Sequence, residues 1–391
     1  MRIREVAISG YRSLWNVSIT DLGDGVNVFF GDNNCGKSNI LEALETLFKV
    51  ERTDLPVSGF YSGELTNFID NFTVKADGTA ATNISMRCKL AIGSEDVKKL
   101  PVFVDFLKKN RIYSKTHNQW VELEVEVRPS LAGVANRVLN KATVNGCMMY
   151  DSSIPQPGSF FPSLSPKVNV SARENAAGAF FGYLVNSFSK IHTGRLMKTR
   201  NIEEGSRADV SMSMQDFKEW FRGLIESRGE DYKMFQKIQG WFGKEPFAYG
   251  DIRSVLSGGK VDLVVEDESG RELMVERLGT GVQQVLVLLS QIASRVSESK
   301  TKIFGIEELE LNLSPHLQIE ALNVLKKMAG EPESSGFSQV FLSSHSPYLC
   351  KRGCQDLYAV SIDPKFGTQV KHGPRAVVGI LTKHYNYDFF R

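Results

Sequence analysis

Residues 31–38 read GDNNCGKS, two glycines five positions apart followed at once by a lysine and a serine. The six residues before them, GVNVFF, form a short apolar run, and SNILEALETLF after them carries its apolar residues at helical spacing. A buried strand that turns within a few residues into a helix leaves few backbone solutions, and glycine is what makes the turn passable. This strand, loop and helix predict an α/β core. Across Gly31, Asp32, Asn33, Asn34, Cys35, Gly36, Lys37 and Ser38 the backbone N–H groups can turn inward onto phosphate oxygens, helped by the positive end of the following helix. Lys37 would reach the β and γ phosphates of a nucleotide, and Ser38 would place its hydroxyl on Mg²⁺.

Two further strand ends carry chemistry. KIFGIEELELNLSPH places Glu307 and Glu308 at the end of an apolar strand. A metal-dependent nucleotide hydrolase needs one carboxylate there to hold Mg²⁺ through its water shell, assigned to Glu307, and a second to orient or deprotonate the attacking water, assigned to Glu308. Adjacent strand residues point to opposite faces, but at a frayed end both can face the phosphates. SQVFLSSHSPYL puts His345 just past another apolar strand, where an imidazole can donate to the γ-phosphate and sense its loss.

Elsewhere RIREVAIS and LWNVSI alternate as strands, NISMRCKLAI and WVELEVEVRP do the same, and VKKLPVFVDFLKKN reads as a helix. KATVNGCMMY predicts a hairpin about Asn145-Gly146. Residues 173–245 read as mostly helical, with the polar segment 197–213 as an exposed loop. The last third alternates again: a hairpin in KVDLVVEDESGRELMVERL, helices in VQQVLVLLSQIASRV and HLQIEALNVLKKM, and the strands that carry Glu307 and precede His345. The expected organisation is a core of residues 1–50 and 251–391, interrupted by an insertion over 51–250 that is β-rich in 51–170 and helical in 171–250.

Composition removes several classes. Apolar residues make up 42% and charged residues 24%, the balance of an ordinary globular chain. A net charge of +2, from 47 basic and 45 acidic side chains, neither demands nor excludes nucleic acid. There is no run of about 18 apolar residues, and MRIREVAISG is a charged strand and no leader, so a cytoplasmic protein without a membrane partner is expected. Five scattered cysteines fit a reducing compartment, and Cys350, Cys354 and His345 lack the second ligand pair a zinc site requires.

With these residues assembled, the chain resembles ABC-type ATPases of the group that includes OLD-family, RecF-like and SMC-like head domains. ISGYRSLWNVSI is similar to the group's "FRSL" opening, GDNNCGKSNILEAL to its Walker A, GIEELELNLSPH to its Walker B and D-loop, and LSSHSP to its switch histidine. The tandem glutamates and the His-Ser-Pro turn resemble the OLD branch more than RecF. Where that branch has a proline and two histidines after the glutamates, this chain has Leu309, Asn312 and Ser314, and no Q-loop glutamine stands out in 50–100.

The resemblance implies an ABC-ATPase-like core, a mixed sheet with flanking helices, that binds ATP with Mg²⁺. It also implies a homodimer in which the phosphate loop of one copy faces the signature loop of the other. Signature loops open a helix aimed at the γ-phosphate. LGTGVQQVLVLLSQI meets that condition, so Gly279, Thr280 and Gly281 are assigned to it. The more conspicuous LSGGKVDL at 256–263 shares letters with the signature LSGGQ, but it leads into β-branched residues and is read as a turn between strands.

OLD proteins carry a Toprim nuclease after the ATPase, and the roughly 45 residues past His345 are too few for one. The expected role is therefore a dimeric switch that controls a separately encoded effector, a nuclease or toxin, in bacterial anti-phage defence. A RecF-like DNA-binding ATPase is the other reading, with DNA as partner through basic stretches such as KTRNIEEGSR and KHGPR.

Overall fold

The opening strand Arg2–Tyr11 pairs antiparallel on one side with Leu14–Ile19 and on the other with Ile84–Ile92. Its buried positions alternate, as the sequence RIREVAIS requires of a strand with one apolar face. A computed structural model describes residues 1–385 apart from 49–61, 67–68, 75–78, 116–117, 130–133, 154–159, 166–167, 186, 194–197, 200–209, 212–213, 244–246, 248, 268, 299–300 and 351–355. Among the described residues the first sheet continues from Ile84–Ile92 through Gln119–Pro129 and Val134–Val144 to Ser62–Thr66, with Cys147–Asp151 beside Val134–Val144. Val144 faces Cys147 across the expected Asn145-Gly146 turn, and Asn145 fixes that turn by accepting from the Trp120 N–H at 2.8 Å.

A second, mixed sheet runs in the order Gly367–His372, Leu357–Asp363, Gly25–Phe30, Gln339–Ser344, Ile303–Glu307, Phe188–His192. Gly25–Phe30 is parallel to both of its neighbours, and Leu357–Asp363 is antiparallel to Gly367–His372. A strand buried among parallel neighbours reads as a continuous apolar run, which is why GVNVFF does not alternate. Its one polar residue, Asn27, is fully buried and paired: its Oδ1 accepts from the Gly23 N–H at 2.8 Å.

The chain divides into two compact units: Met1–Lys190 with Lys302–Gly305 and Ser338–Arg391, and Ile191–Thr301 with Ile306–Phe337. The boundaries expected at 50 and 250 separate stretches of sequence, whereas this division follows contacts, and Ile84–Ile92 extends the sheet that Arg2–Tyr11 begins. In the first unit the helix Lys37–Phe48 buries Ile40, Leu41, Ala43, Leu44, Leu47 and Phe48. Phe29 stacks on Phe341 at 6.0 Å, and Phe48 on Phe188 at 6.3 Å. Gly305 is glycine by necessity of packing, since a Cβ there would lie 2.9 Å from the Phe188 ring.

The second unit holds the helices Met214–Glu226, Glu230–Phe242, Thr280–Glu298 and Pro315–Gly330 and a three-stranded meander, Ile252–Ser257, Lys260–Glu266 and Glu272–Met274. Within the stretch expected to be helical, Phe188–His192 is instead a strand at the end of the mixed sheet. FSKIH does not alternate: its apolar residues, Phe188 and Ile191, stand three apart, a helical spacing. Most of the polar segment 197–213 lies outside the described residues; Lys198–Thr199 pairs with Val210–Ser211.

Candidate active site

The helix after the Gly-rich loop begins at Lys37, and its first turn closes with the Ile40 N–H donating to the Gly36 carbonyl at 3.1 Å. To enter that helix the backbone passes through positive φ at Asn34 (61°) and Gly36 (104°). Asparagine tolerates the first value, but the second suits glycine. Both loop glycines are also closed by neighbours. A Cβ on Gly31 would sit 2.1 Å from the Val360 carbonyl oxygen, and one on Gly36 would sit 2.2 Å from Thr368 Oγ1. Thr368 Oγ1 reaches the Cys35 carbonyl at 3.0 Å and Ser13 Oγ at 2.7 Å, while Asn39 Nδ2 donates to Ser13 Oγ at 2.8 Å.

Lys37 is buried, its ammonium donating to the carbonyls of Gly31 at 2.8 Å and Asp32 at 2.6 Å. Ser38, Asn33 and Asn34 are exposed and Asp32 is half-buried. Burial pushes the Cys35 thiol pKa up, outweighing the pull of Lys37, so the cysteine stands in the loop as a neutral packing group. The cradle fits a polyphosphate: no side chain can enter at Gly31 or Gly36, a cation lies along it, and Ser38 offers a hydroxyl for Mg²⁺ on the helix's first turn.

His345 belongs to the same unit. Ser344 pairs with Phe30 in parallel register, and the Gly31 N–H donates to the Ser344 carbonyl at 3.4 Å. His345 therefore leaves its strand where the phosphate loop leaves the next one. It is half-buried. Ser13 and Thr368 are absent from the motif reading, and sequence offers no signal for them except that Ser13 lies in the YRSL opening.

In the second unit Glu307 ends its strand at 1% exposure, and Glu308 follows it into solvent with φ at +53°. The two glutamates thus differ in environment, one buried and one exposed. Glu308 opens a turn, the Leu311 N–H donating to its carbonyl at 3.0 Å. Ser314, where the OLD branch has another residue, caps the helix Pro315–Gly330 by accepting from the Leu317 N–H.

Gly279 and Thr280 are exposed at the start of the helix Thr280–Glu298, while Gly281 is buried. A Cβ on Gly281 would lie 2.7 Å from Leu317 Cδ1 and 3.2 Å from the Asn312 carbonyl oxygen, so this turn packs directly on the segment after the glutamates. Lys218 holds the approach to the turn, donating to Glu276 at 2.6 Å and Asp262 at 2.8 Å. Burial pulls its ammonium pKa down, and the two carboxylates more than restore it, leaving it above the usual lysine value.

LSGG takes a different place. Gly258 and Gly259 have φ of +57° and +79° and join Ile252–Ser257 to Lys260–Glu266, with Ser257 opposite Lys260. Two left-handed residues between antiparallel strands make a hairpin turn with no helix behind it. Gly259→Ala is expected to cost about 1 kcal/mol of stability through its backbone alone, since nothing lies within 4 Å of the added carbon. Gly281→Val is expected to lower ATP hydrolysis at least about tenfold by displacing the turn. Thermal unfolding and steady-state hydrolysis of both variants check the contrast; a larger loss of hydrolysis from Gly259→Ala would reassign the signature loop.

A strand, glycine turn and lysine-led helix set in a mixed sheet with flanking helices define a phosphate-loop α/β protein. The family model described as AAA ATPase domain matches residues 1–130 and 185–350, and the chain belongs to that family. The fold is similar to that of SMC head domains. The SmcHead solved bound to the C-winged helix domain of ScpA is 13% identical, with a TM-score of 0.50 over 95% of this chain and 98% of that one. The SMC head domain from Thermotoga maritima is also 13% identical, with a TM-score of 0.47 over 95% of this chain and 99% of that one. Among curated proteins, the DNA replication and repair protein RecF of Bifidobacterium longum subsp. infantis is 45% identical over 47 residues. That match spans 12% of this chain and 11% of the RecF protein. Among the described residues, no helix is long and apolar enough to cross a membrane.

Proposed function

We propose that the chain is an ATP-hydrolysing switch in which two copies close head to tail on ATP and loosen on hydrolysis, thereby controlling a separately encoded effector. The observation that carries this reading is the phosphate loop, closed to side chains at Gly31 and Gly36 and threaded by the Lys37 ammonium. In this reading Lys37 holds the β and γ phosphates, and the loop from Gly31 to Ser38 cradles them. Ser38 and Glu307 hold Mg²⁺, which when bound neutralises charge on the phosphates. Glu308 orients the attacking water, and His345 donates to the γ-phosphate. The exposed Gly279 and Thr280, at the positive end of a 19-residue helix, face the partner copy's nucleotide.

A role in bacterial anti-phage defence, with a nuclease or toxin as effector, rests on the resemblance of the tandem glutamates and the His-Ser-Pro turn to the OLD branch. The similar SmcHead fold, solved bound to a winged-helix domain, supports a protein partner. The test is assembly state. Glu308→Gln protein with ATP and Mg²⁺ is expected to run as a dimer in light scattering and to dissociate without nucleotide. A variant that stays monomeric with ATP would overturn the switch.

The 45% identity to RecF over 47 residues favours a second reading, a DNA-binding ATPase of repair or recombination. Hydrolysis stimulated by duplex DNA, with the stimulation falling steeply as salt rises, would support it. DNA-independent, salt-insensitive hydrolysis would count against it.

A further inference from the structure

We infer that Thr193 is a positioning residue for hydrolysis, fixing the backbone from which Glu307 and Glu308 extend. The inference rests on the reading of Glu308 as the group that orients water. Thr193 follows the strand Phe188–His192 and is nine-tenths buried. Its hydroxyl lies 2.5 Å from the Glu308 carbonyl oxygen and 3.1 Å from that of Glu307, and its N–H donates to Glu307 at 3.4 Å. Thr193 therefore meets both carbonyls, its N–H donating to that of Glu307 and its single hydroxyl proton to that of Glu308, the nearer of the two.

The grip matters because of the backbone it holds. Glu308 has φ at +53°, a region that costs a residue with a Cβ about 1–2 kcal/mol and that persists only where surroundings enforce it. The Glu308 carbonyl has two donors, Thr193 Oγ1 and the Leu311 N–H at 3.0 Å, which between them set the plane of the Glu308–Leu309 peptide. A rotation of that peptide moves the Glu308 carbonyl carbon, and with it the N–Cα–C frame from which the exposed side chain leaves the chain. Removing the hydroxyl leaves the Leu311 bond alone to resist rotation. A carboxylate displaced by about 1 Å from the attacking water loses much of its catalytic value.

The experiment is steady-state ATP hydrolysis by purified full-length chain carrying Thr193→Val, Thr193→Ser, Glu308→Gln or the Thr193→Val/Glu308→Gln pair. Valine keeps the shape of threonine and loses the hydroxyl. Thr193→Val is expected to lower kcat about 10- to 100-fold with KM for ATP unchanged, and Thr193→Ser to restore wild-type kcat. The double variant is expected to be no slower than Glu308→Gln alone, because the hydroxyl acts through that carboxylate.

A purely structural threonine would instead lower the melting temperature and leave kcat per folded molecule unchanged. If the valine protein does not fold, Thr193→Ala assayed below its own melting range takes its place, with the same expectations. Wild-type kcat in Thr193→Val or Thr193→Ala beside a crippled Glu308→Gln would overturn the inference about Thr193 alone. Wild-type kcat in Glu308→Gln would overturn the role of the glutamate on which it rests.

Discussion

Glu308→Gln is expected to lower kcat for ATP hydrolysis by about 10²- to 10⁴-fold, the range removed with a general base, while leaving the affinity for ATP near its wild-type value. The physical basis is the difference between the two glutamates. Glu307 is buried at the end of its strand, so its loss is expected to disturb metal binding and packing together. Glu308 is exposed on a turn, and replacing its carboxylate with an amide of the same shape removes a base without emptying any volume. Steady-state hydrolysis beside nucleotide titration separates the two effects. A fall in affinity as large as the fall in kcat would move Glu308 from the water to the metal, the role proposed for Glu307.

Gly31→Ala is expected to have the largest effect of any single methyl group in the loop. Its Cβ would fall 2.1 Å from the Val360 carbonyl oxygen and 2.9 Å from Cys35 Sγ. The first is main chain in a strand parallel to Gly25–Phe30, and it cannot swing aside as a side chain does. Overpacking of this kind costs about 1–3 kcal/mol, and relief must come from moving the loop, which breaks the cradle. The expected outcome is a lower melting temperature together with loss of measurable ATP binding, read by thermal unfolding with and without ATP. Gly36→Ala is expected to act in the same direction. Its nearest neighbour, Thr368 Oγ1 at 2.2 Å, is a side chain that can yield, but its φ of +104° remains unfavourable for alanine.

Motifs that depend on neighbours in sequence are legible in the sequence alone. GDNNCGKS lies between a strand and a helix because its flanks carry two different hydrophobic periods, and the Gly258-Gly259 turn was distinguished from a signature loop by the strand pattern behind it. The five-residue strand Phe188–His192 is not legible in sequence because its apolar residues, Phe188 and Ile191, stand at a helical spacing of three; Phe188 is buried by packing on Phe48 and Phe341. Ser13 and Thr368 escaped for a related reason. A lone hydroxyl in a sequence has no spacing to mark it, and Thr368 meets Cys35 from 333 positions away.

By itself, then, the sequence determined the phosphate loop, the placement of Glu307, Glu308 and His345 at strand ends, and the helix that opens at Gly279-Thr280-Gly281. Each is written in a local pattern of glycines, periodicity and capping. The tertiary structure alone decided why Gly31, Gly36 and Gly281 exclude a side chain, and that Thr193, 114 positions from Glu307, holds both glutamate carbonyls. Those are facts of close approach between segments distant in the chain. Van der Waals contact and hydrogen bonding fall off within a few ångströms, so they become determinate only when the fold has brought the segments together.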